Sequence, residues 1–65
     1  MGESISRAQC RVMGALSRGW TRSEIAIVYG MTGRDVRVLI ASVLEKTETR
    51  TVLQALAVCI RRGEV

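Results

Sequence analysis

The chain has 65 residues, 48% of them hydrophobic, and its ten basic and six acidic residues give a net charge of +4. A chain this short forms one small domain, and oligomerisation commonly supplies the stability that a small core lacks. No apolar run approaches the roughly 18 residues of a membrane span, so we expect no membrane partner. With no histidine and two cysteines, a zinc site of four Cys/His ligands is excluded, and we predict no cofactor.

The composition also argues against an enzyme. Without histidine, general acid–base chemistry would fall to six carboxylates, and none of them forms a suggestive pair. The glycines do not follow a dinucleotide-binding or P-loop pattern. The positive charge instead favours a polyanionic partner. Cys10 and Cys59 are expected to be reduced thiols, so we expect a cytoplasmic, nucleoid-associated protein.

Apolar residues recur at helical spacing four times, and strand-like alternation is absent. We therefore predict an all-α, four-helix domain over residues 1–65, with helices at about 6–18, 21–29, 32–46 and 51–62. Ser6 and Gln9 have the spacing of a capping box at the start of the first helix. Gly19 is expected to end that helix, because glycine tolerates the left-handed conformation after a C-terminus.

The second helix is expected to begin at Thr21, where Thr21 and Glu24 form a second capping box. Gly30 ends it, and the third helix begins only two residues later with Thr32 as its cap and Asp35 in the first turn. The inner face of the third helix is predicted from its apolar spacing to consist of Val36, Leu39, Ile40, Val43 and Leu44.

The fourth helix opens with Thr51 and Gln54 at capping-box spacing. Eight of the nine residues from 52 to 60 are apolar. A helix that is apolar on nearly all sides is buried on more than one side, and so short a chain cannot surround it. We therefore expect one face to pack on the domain and another on a second subunit. The predicted dimer interface is Val52, Leu53, Leu56, Ala57, Cys59 and Ile60.

A turn of about three residues, Gly30-Met31-Thr32, joins the second and third helices. Such a short connection is typical of a helix-turn-helix, in which the later helix enters the DNA major groove. Arg37 is the first candidate for a base contact, because a guanidinium can bind guanine O6 and N7 together. The complete set of predicted contacts to double-stranded DNA is Thr21, Arg22, Ser23, Arg34, Arg37, Val38, Ala41 and Lys46.

These features together resemble the GerE/LuxR-type DNA-binding domain, over residues 5–65 without a gap. The resemblance is carried by the stretch from Ile5 to Ala26 with its Thr21-Arg22-Ser23-Glu24-Ile25-Ala26 segment, by the Gly30-Met31-Thr32 turn, by Val36-Arg37, by Gln54-Ala55 and by Arg61-Arg62-Gly63. It implies a four-helix domain with the third helix in the major groove and dimerisation through the fourth, and we expect the domain to be stand-alone. It also implies a DNA contact for Arg37, with Val38 beside it at a base-contacting position.

The sequence departs from the family pattern at several positions. Asp35 replaces a usual threonine, Leu39 a common histidine, and Glu48 the glycine that usually follows the third helix; Ala41 and Glu45 are also atypical. An alternative function stays open at this point. In it the same fold is a phage- or plasmid-encoded adaptor that binds a larger regulator or RNA polymerase.

Overall fold

The computed structural model describes residues 3–65, and Met1 and Gly2 lie outside the described residues. The described chain is all-α, and the prediction of four helices is confirmed. They are α1 (Arg7–Ser17), α2 (Arg22–Val28), α3 (Gly33–Thr47) and α4 (Val52–Arg61). α3 is the longest, with 15 residues, and it packs against each of the other three. None of the helices in residues 3–65 combines the length and the apolar character needed to cross a membrane.

The first three helices begin with complete capping boxes, as predicted for α1 and α2. The Ser6, Thr21 and Thr32 hydroxyls each accept a hydrogen bond from the backbone N–H of the third helical residue. The side chain of that third residue in turn accepts a hydrogen bond from the backbone N–H of the cap. α4 differs from the predicted box. Thr51 Oγ1 accepts from Gln54 N at 3.1 Å, but Gln54 Oε1 accepts from Arg50 N instead of Thr51 N. The side-chain half of that box is thus displaced by one residue.

All four helices end with the same backbone hydrogen bond, in which an N–H beyond the helix reaches back five residues to a carbonyl. This motif needs a left-handed residue, and glycine supplies it after α1, α2 and α4. After α3 the left-handed residue is Glu48, at φ 57°. The four donor–acceptor pairs are Trp20–Ala15, Met31–Ala26, Thr49–Leu44 and Glu64–Cys59.

The core consists of two adjoining hydrophobic clusters. The first joins α1, α2 and α3 through Val12, Ala15, Ile25, Val36 and Ile40. The second joins α1, α3 and α4 through Met13, Val43, Ala55 and Cys59. Half-buried Leu16, Leu44 and Val52 contact both clusters. Because α3 contributes to both, it is the element against which the other helices are arranged.

The predicted inner stripe of α3 is confirmed. Three of its five residues are buried, and half-buried Leu39 and Leu44 pack against the core. Trp20 packs against the first cluster and stacks on Tyr29, with ring centroids 6.1 Å apart and planes at 21°. The Arg18 guanidinium carbon lies 5.9 Å from the Trp20 ring centroid, a cation–π arrangement. These contacts fasten the end of α1 to the end of α2.

One polar side chain is buried between α1 and α3. Gln9 is only 4% exposed. Its Oε1 accepts from Ser6 N at 2.8 Å and from Lys46 Nζ at 3.0 Å, while its Nε2 donates to Ser42 Oγ at 2.8 Å. The residue that caps α1 therefore also connects α1 to α3. This second role satisfies a group that would otherwise be costly to bury.

The two ends of the described chain contact each other. Ile5 N donates to Glu64 Oε2 at 3.2 Å, and Arg62 Nη2 donates to the Glu3 carbonyl at 2.6 Å. Arg62 Nε also pairs with Glu64 Oε1 at 3.3 Å. The segment before α1 is thereby tied to the end of α4.

Candidate nucleic-acid interface

The connection between α2 and α3 has a defined backbone geometry. Gly30 adopts φ 65°, and Met31 N donates to the Ala26 carbonyl at 2.8 Å. Thr32 then resumes an extended conformation and accepts from Asp35 N at 3.0 Å as the cap of α3. In this turn, Gly30 and Met31 end α2 and Thr32 begins α3. Because the connection is short, it restricts how α3 can be placed relative to α2.

Four predicted DNA-contacting residues share the outer face of α3. Arg34, Arg37, Val38 and Ala41 are all exposed, at the three- and four-residue spacing of one helical face. Val38 is 59% exposed, so its methyl groups are open to a partner. The opposite face holds the core residues of α3. The structure therefore brings these four side chains together on one surface, which we call the α3 face.

The cations of the α3 face are free to meet a partner. Within residues 3–65, neither Arg34 nor Arg37 makes a hydrogen bond or an ion pair. The neighbouring Asp35 carboxylate accepts from Thr32 N at 3.2 Å and so completes the cap of its own helix. Glu45 is exposed two turns beyond Val38 along α3. The face thus carries its positive charge at the N-terminal half of the helix and a negative charge towards its C-terminal half.

The predicted DNA contacts at the start of α2 differ in their roles. Thr21 Oγ1 is engaged as the cap, accepting from Glu24 N at 3.1 Å. Arg22 and Ser23 are exposed in the first turn of α2. The Arg22 side chain has no polar partner in the described part of the chain. Arg22 is therefore the residue of this group whose charge is available.

Lys46 does not lie with the other predicted DNA contacts. It is half-buried, and its Nζ donates to Gln9 Oε1 on α1. Nine residues separate it from Arg37, which places the two on opposite sides of α3. The sequence predicts a DNA contact for Lys46, but the structure places its side chain in the contact between α1 and α3.

The predicted dimer surface on α4 separates into three exposed, two half-buried and one buried residue. Leu53 and Ile60 are 78% and 56% exposed, and Ala57 is exposed between them. Val52 and Leu56 are half-buried against the core. Cys59 is fully buried in the second cluster, so its place in the predicted interface is wrong. Ala55 and Cys59 face inward one turn apart, which leaves Leu53, Ala57 and Ile60 as the outer α4 stripe.

Cys10 and Cys59 are both free thiols. Burial raises the pKa of the Cys59 thiol, the nearby Glu64 carboxylate adds to the increase, and Arg62 partly opposes it. Because the thiolate is the reactive form, Cys59 is chemically quiet and serves as a small apolar core residue.

Two features of the structure were not predicted from the sequence. One is the connection from Gln9 to Ser42 and Lys46. The other is a groove beside the α2–α3 turn, to which Arg7 and Arg11 contribute. The four-residue spacing of these arginines in a predicted helix was a usable signal for a shared face.

Comparison of the chain with models of known protein families, with curated proteins and with solved structures gave no match.

Proposed function

We propose that this chain is a GerE/LuxR-type helix-turn-helix domain that binds double-stranded DNA through the α3 face. The observation that carries the proposal is that Arg34 and Arg37 lie without an ion-pair partner in residues 3–65, beside the exposed apolar Val38, on the outer side of α3. Only the four residues 29–32 connect this helix to α2. A helix of this kind fits the major groove, which is about 12 Å wide.

The residues of the α3 face have distinct roles in this proposal. Arg37 binds the O6 and N7 acceptors of a guanine, the commonest specific contact that arginine makes. Arg34, one turn earlier, binds a phosphate, and Arg22 at the start of α2 binds another. Val38 contacts a thymine methyl group, while Ala41 leaves room for close approach of the helix to the bases.

The outer α4 stripe is the proposed dimer contact. Leu53, Ala57 and Ile60 lie at four- and three-residue spacing over about 10 Å of helix. An exposed apolar stripe of this kind is suited to packing against a second copy about a two-fold axis. Two α3 faces related in this way would bind two half-sites of a near-palindromic DNA sequence.

The proposal is tested by titrating the purified chain with a random duplex library at several salt concentrations, followed by selection of bound sequences. If the chain neutralises Z phosphates, the logarithm of the affinity should fall against the logarithm of salt with slope about −0.9Z. Arg37→Ala should cost about 1–3 kcal/mol and relax the preference at one base pair, whereas Arg34→Ala should weaken all duplexes alike.

Arg50→Ala is the matched control, because Arg50 is exposed outside α3, at the N-terminal side of α4. It should leave the sequence preference unchanged. An Arg37→Ala protein that binds every duplex with unchanged affinity would refute the assignment of α3 as the recognition helix.

A further inference from the structure

The surface missed from the sequence is a groove between the first turns of α1 and the α2–α3 turn. Its volume is about 330 Å³, within the range of sites that bind ligand groups. Ala8, Val12, Tyr29 and Met31 form its apolar lining, and Arg7 and Arg11 complete it. We call this surface the α1 groove. None of its residues belongs to the α3 face or to the outer α4 stripe.

The two arginines of the α1 groove are available to pair with a partner. Both are exposed, and within residues 3–65 neither has a hydrogen-bond or ion-pair partner. They lie four residues apart on α1, so their Cβ atoms are about 5–6 Å from each other on one side of the helix. That separation matches two carboxylates spaced by one turn of another helix.

The lining of the groove adds a second requirement to the partner. Val12 belongs to the first core cluster, while Tyr29 and Met31 are half-buried and pack against the same cluster. The floor is therefore part of the rigid domain. Methionine adapts its shape to an inserted side chain, and the tyrosine offers a flat apolar ring. An aliphatic side chain, held between the two arginines, fits this lining.

We propose that the α1 groove binds an acidic amphipathic helix of a partner protein, with aliphatic side chains on the apolar floor and carboxylates on Arg7 and Arg11. This is helix-in-groove recognition with complementary charge. A DNA backbone would use the arginines but leave the apolar floor exposed to water, so the observations favour protein. The inference is independent of the DNA-binding function, because it uses none of the residues of the α3 face.

The test is a titration of ¹⁵N-labelled protein with a synthetic, amidated helical peptide, followed by NMR. The peptide carries glutamate at positions i and i+4 and leucine at i+3 and i+7, so that all four face one side. The expected result is saturable shifts of the amides of Arg7, Ala8, Arg11, Tyr29 and Met31. A control peptide with glutamine in place of glutamate should bind about ten-fold more weakly.

Charge reversal on the protein side supplies the second arm. The double variant Arg7→Glu/Arg11→Glu should weaken binding of the acidic peptide by about ten-fold or more. Ala8→Glu, which adds a carboxylate to the groove at an exposed position, should weaken it as well. Arg22→Glu/Arg50→Glu, which lowers the net charge by the same amount at two exposed positions outside the groove, is the control for net charge and should have a smaller effect. Arg7→Glu is compatible with folding, because acidic residues are favourable in the first turn of a helix.

Four outcomes of the NMR measurements would overturn the proposal. They are no saturable shifts at millimolar peptide, equal binding of the glutamine peptide, shifts centred on α3 or α4, and shifts of the groove amides with protein concentration alone, which would make a second copy the occupant. Duplex DNA is titrated in parallel. If Arg7→Glu/Arg11→Glu weakens DNA binding as much as Arg37→Ala does, the groove belongs to the DNA interface and the proposal fails. Absence of DNA binding by the unsubstituted chain would refute the proposed function alone.

Discussion

Truncation of Gln9 to alanine should destabilise this domain far more than truncation of the corresponding residue of α4, Gln54. Both glutamines occupy the third position of their helices and act at helix N-termini. Gln54 is exposed and accepts one bond, from Arg50 N. Gln9 is buried, makes three bonds, and reaches Ser42 and Lys46 on α3. The difference between the two variants therefore isolates what the connection between α1 and α3 contributes.

The magnitude follows from the bonds that are lost. Each hydrogen bond contributes about 0.5–1.5 kcal/mol net, and a bond to a charged donor somewhat more. Loss of three bonds thus costs about 3 kcal/mol. About 1 kcal/mol of this is offset, because the variant no longer loses the conformational entropy of a buried glutamine side chain on folding. We expect Gln9→Ala to lower the free energy of unfolding by about 2 kcal/mol. Gln54→Ala, which loses one exposed bond, should lower it by about 0.5 kcal/mol.

Thermal unfolding followed by circular dichroism measures both variants. For a domain of this size, a loss of 1 kcal/mol lowers Tm by about 4–8 °C, so Gln9→Ala should fall by about 8–16 °C and Gln54→Ala by a few degrees. Protein concentration must be held constant, because self-association raises the apparent Tm. Equal shifts for the two variants would refute the reasoning, since the bonds to Ser42 and Lys46 would then contribute nothing beyond an ordinary cap.

The remaining predictions concern the α4 stripe, the α2–α3 turn and the buried thiol. Leu53→Asp places a charge at a position 78% exposed in the monomer, so it should abolish dimerisation without unfolding the domain. Sedimentation velocity of the variant and the unsubstituted chain measures the oligomeric state, and a variant that remains dimeric contradicts the prediction. Gly30→Ala should destabilise the domain by about 1 kcal/mol, because the φ of 65° disfavours a side chain although no atom obstructs one. Gly33→Ala, in open space within α3, should instead stabilise it by about 0.5 kcal/mol. Urea unfolding should therefore give changes in unfolding free energy of opposite sign, and changes of the same sign would show that the conformation of Gly30 is not the cause. Burial raises the pKa of Cys59, so the stability that the protonated thiol confers is present below its unfolded-state pKa and is lost as the pH rises towards its folded-state pKa. This part of the pH dependence of unfolding should vanish in Cys59→Ala. At pH 8, iodoacetamide should alkylate Cys10 faster than Cys59, and equal rates would contradict the prediction.

The local signals that set the helices could be predicted from the sequence, because they act over three or four residues. A Ser or Thr followed by Gln, Glu or Asp three positions on begins each helix, and Gly19, Gly30 and Gly63 follow three of the four. The end of α3 lacked this signal. Glu48 adopts the left-handed conformation there without being glycine, and α3 runs to Thr47, one residue beyond the predicted 46.

The placement of side chains between helices could be predicted less well, since it depends on how helices pack. The exposed residues of α3 follow from periodicity within one helix, and Arg34, Arg37 and Val38 lie where the pattern puts them. On α4, where nearly every residue is apolar, periodicity does not distinguish the inner from the outer face. Only the packing against Met13 and Val43 shows that Cys59 is inside. The same holds for Lys46, whose partner on α1 is 37 residues away in the chain.

The arrangement of α3 makes the proposed functional residues separable from the fold. α3 contacts the other three helices through its inner stripe, so a substitution on that stripe would disturb the fold and the α3 face together. Arg34, Arg37 and Val38 contribute to neither core cluster, and substitutions at such exposed positions usually change stability by no more than about 0.5 kcal/mol. Any loss of DNA affinity in Arg37→Ala that exceeds this amount, with Tm unchanged, therefore reports on a contact made by the guanidinium itself. The separation also works in reverse, because Gln9→Ala removes stability without touching the α3 face. At temperatures where that variant is still folded, its affinity for DNA should equal that of the unsubstituted chain.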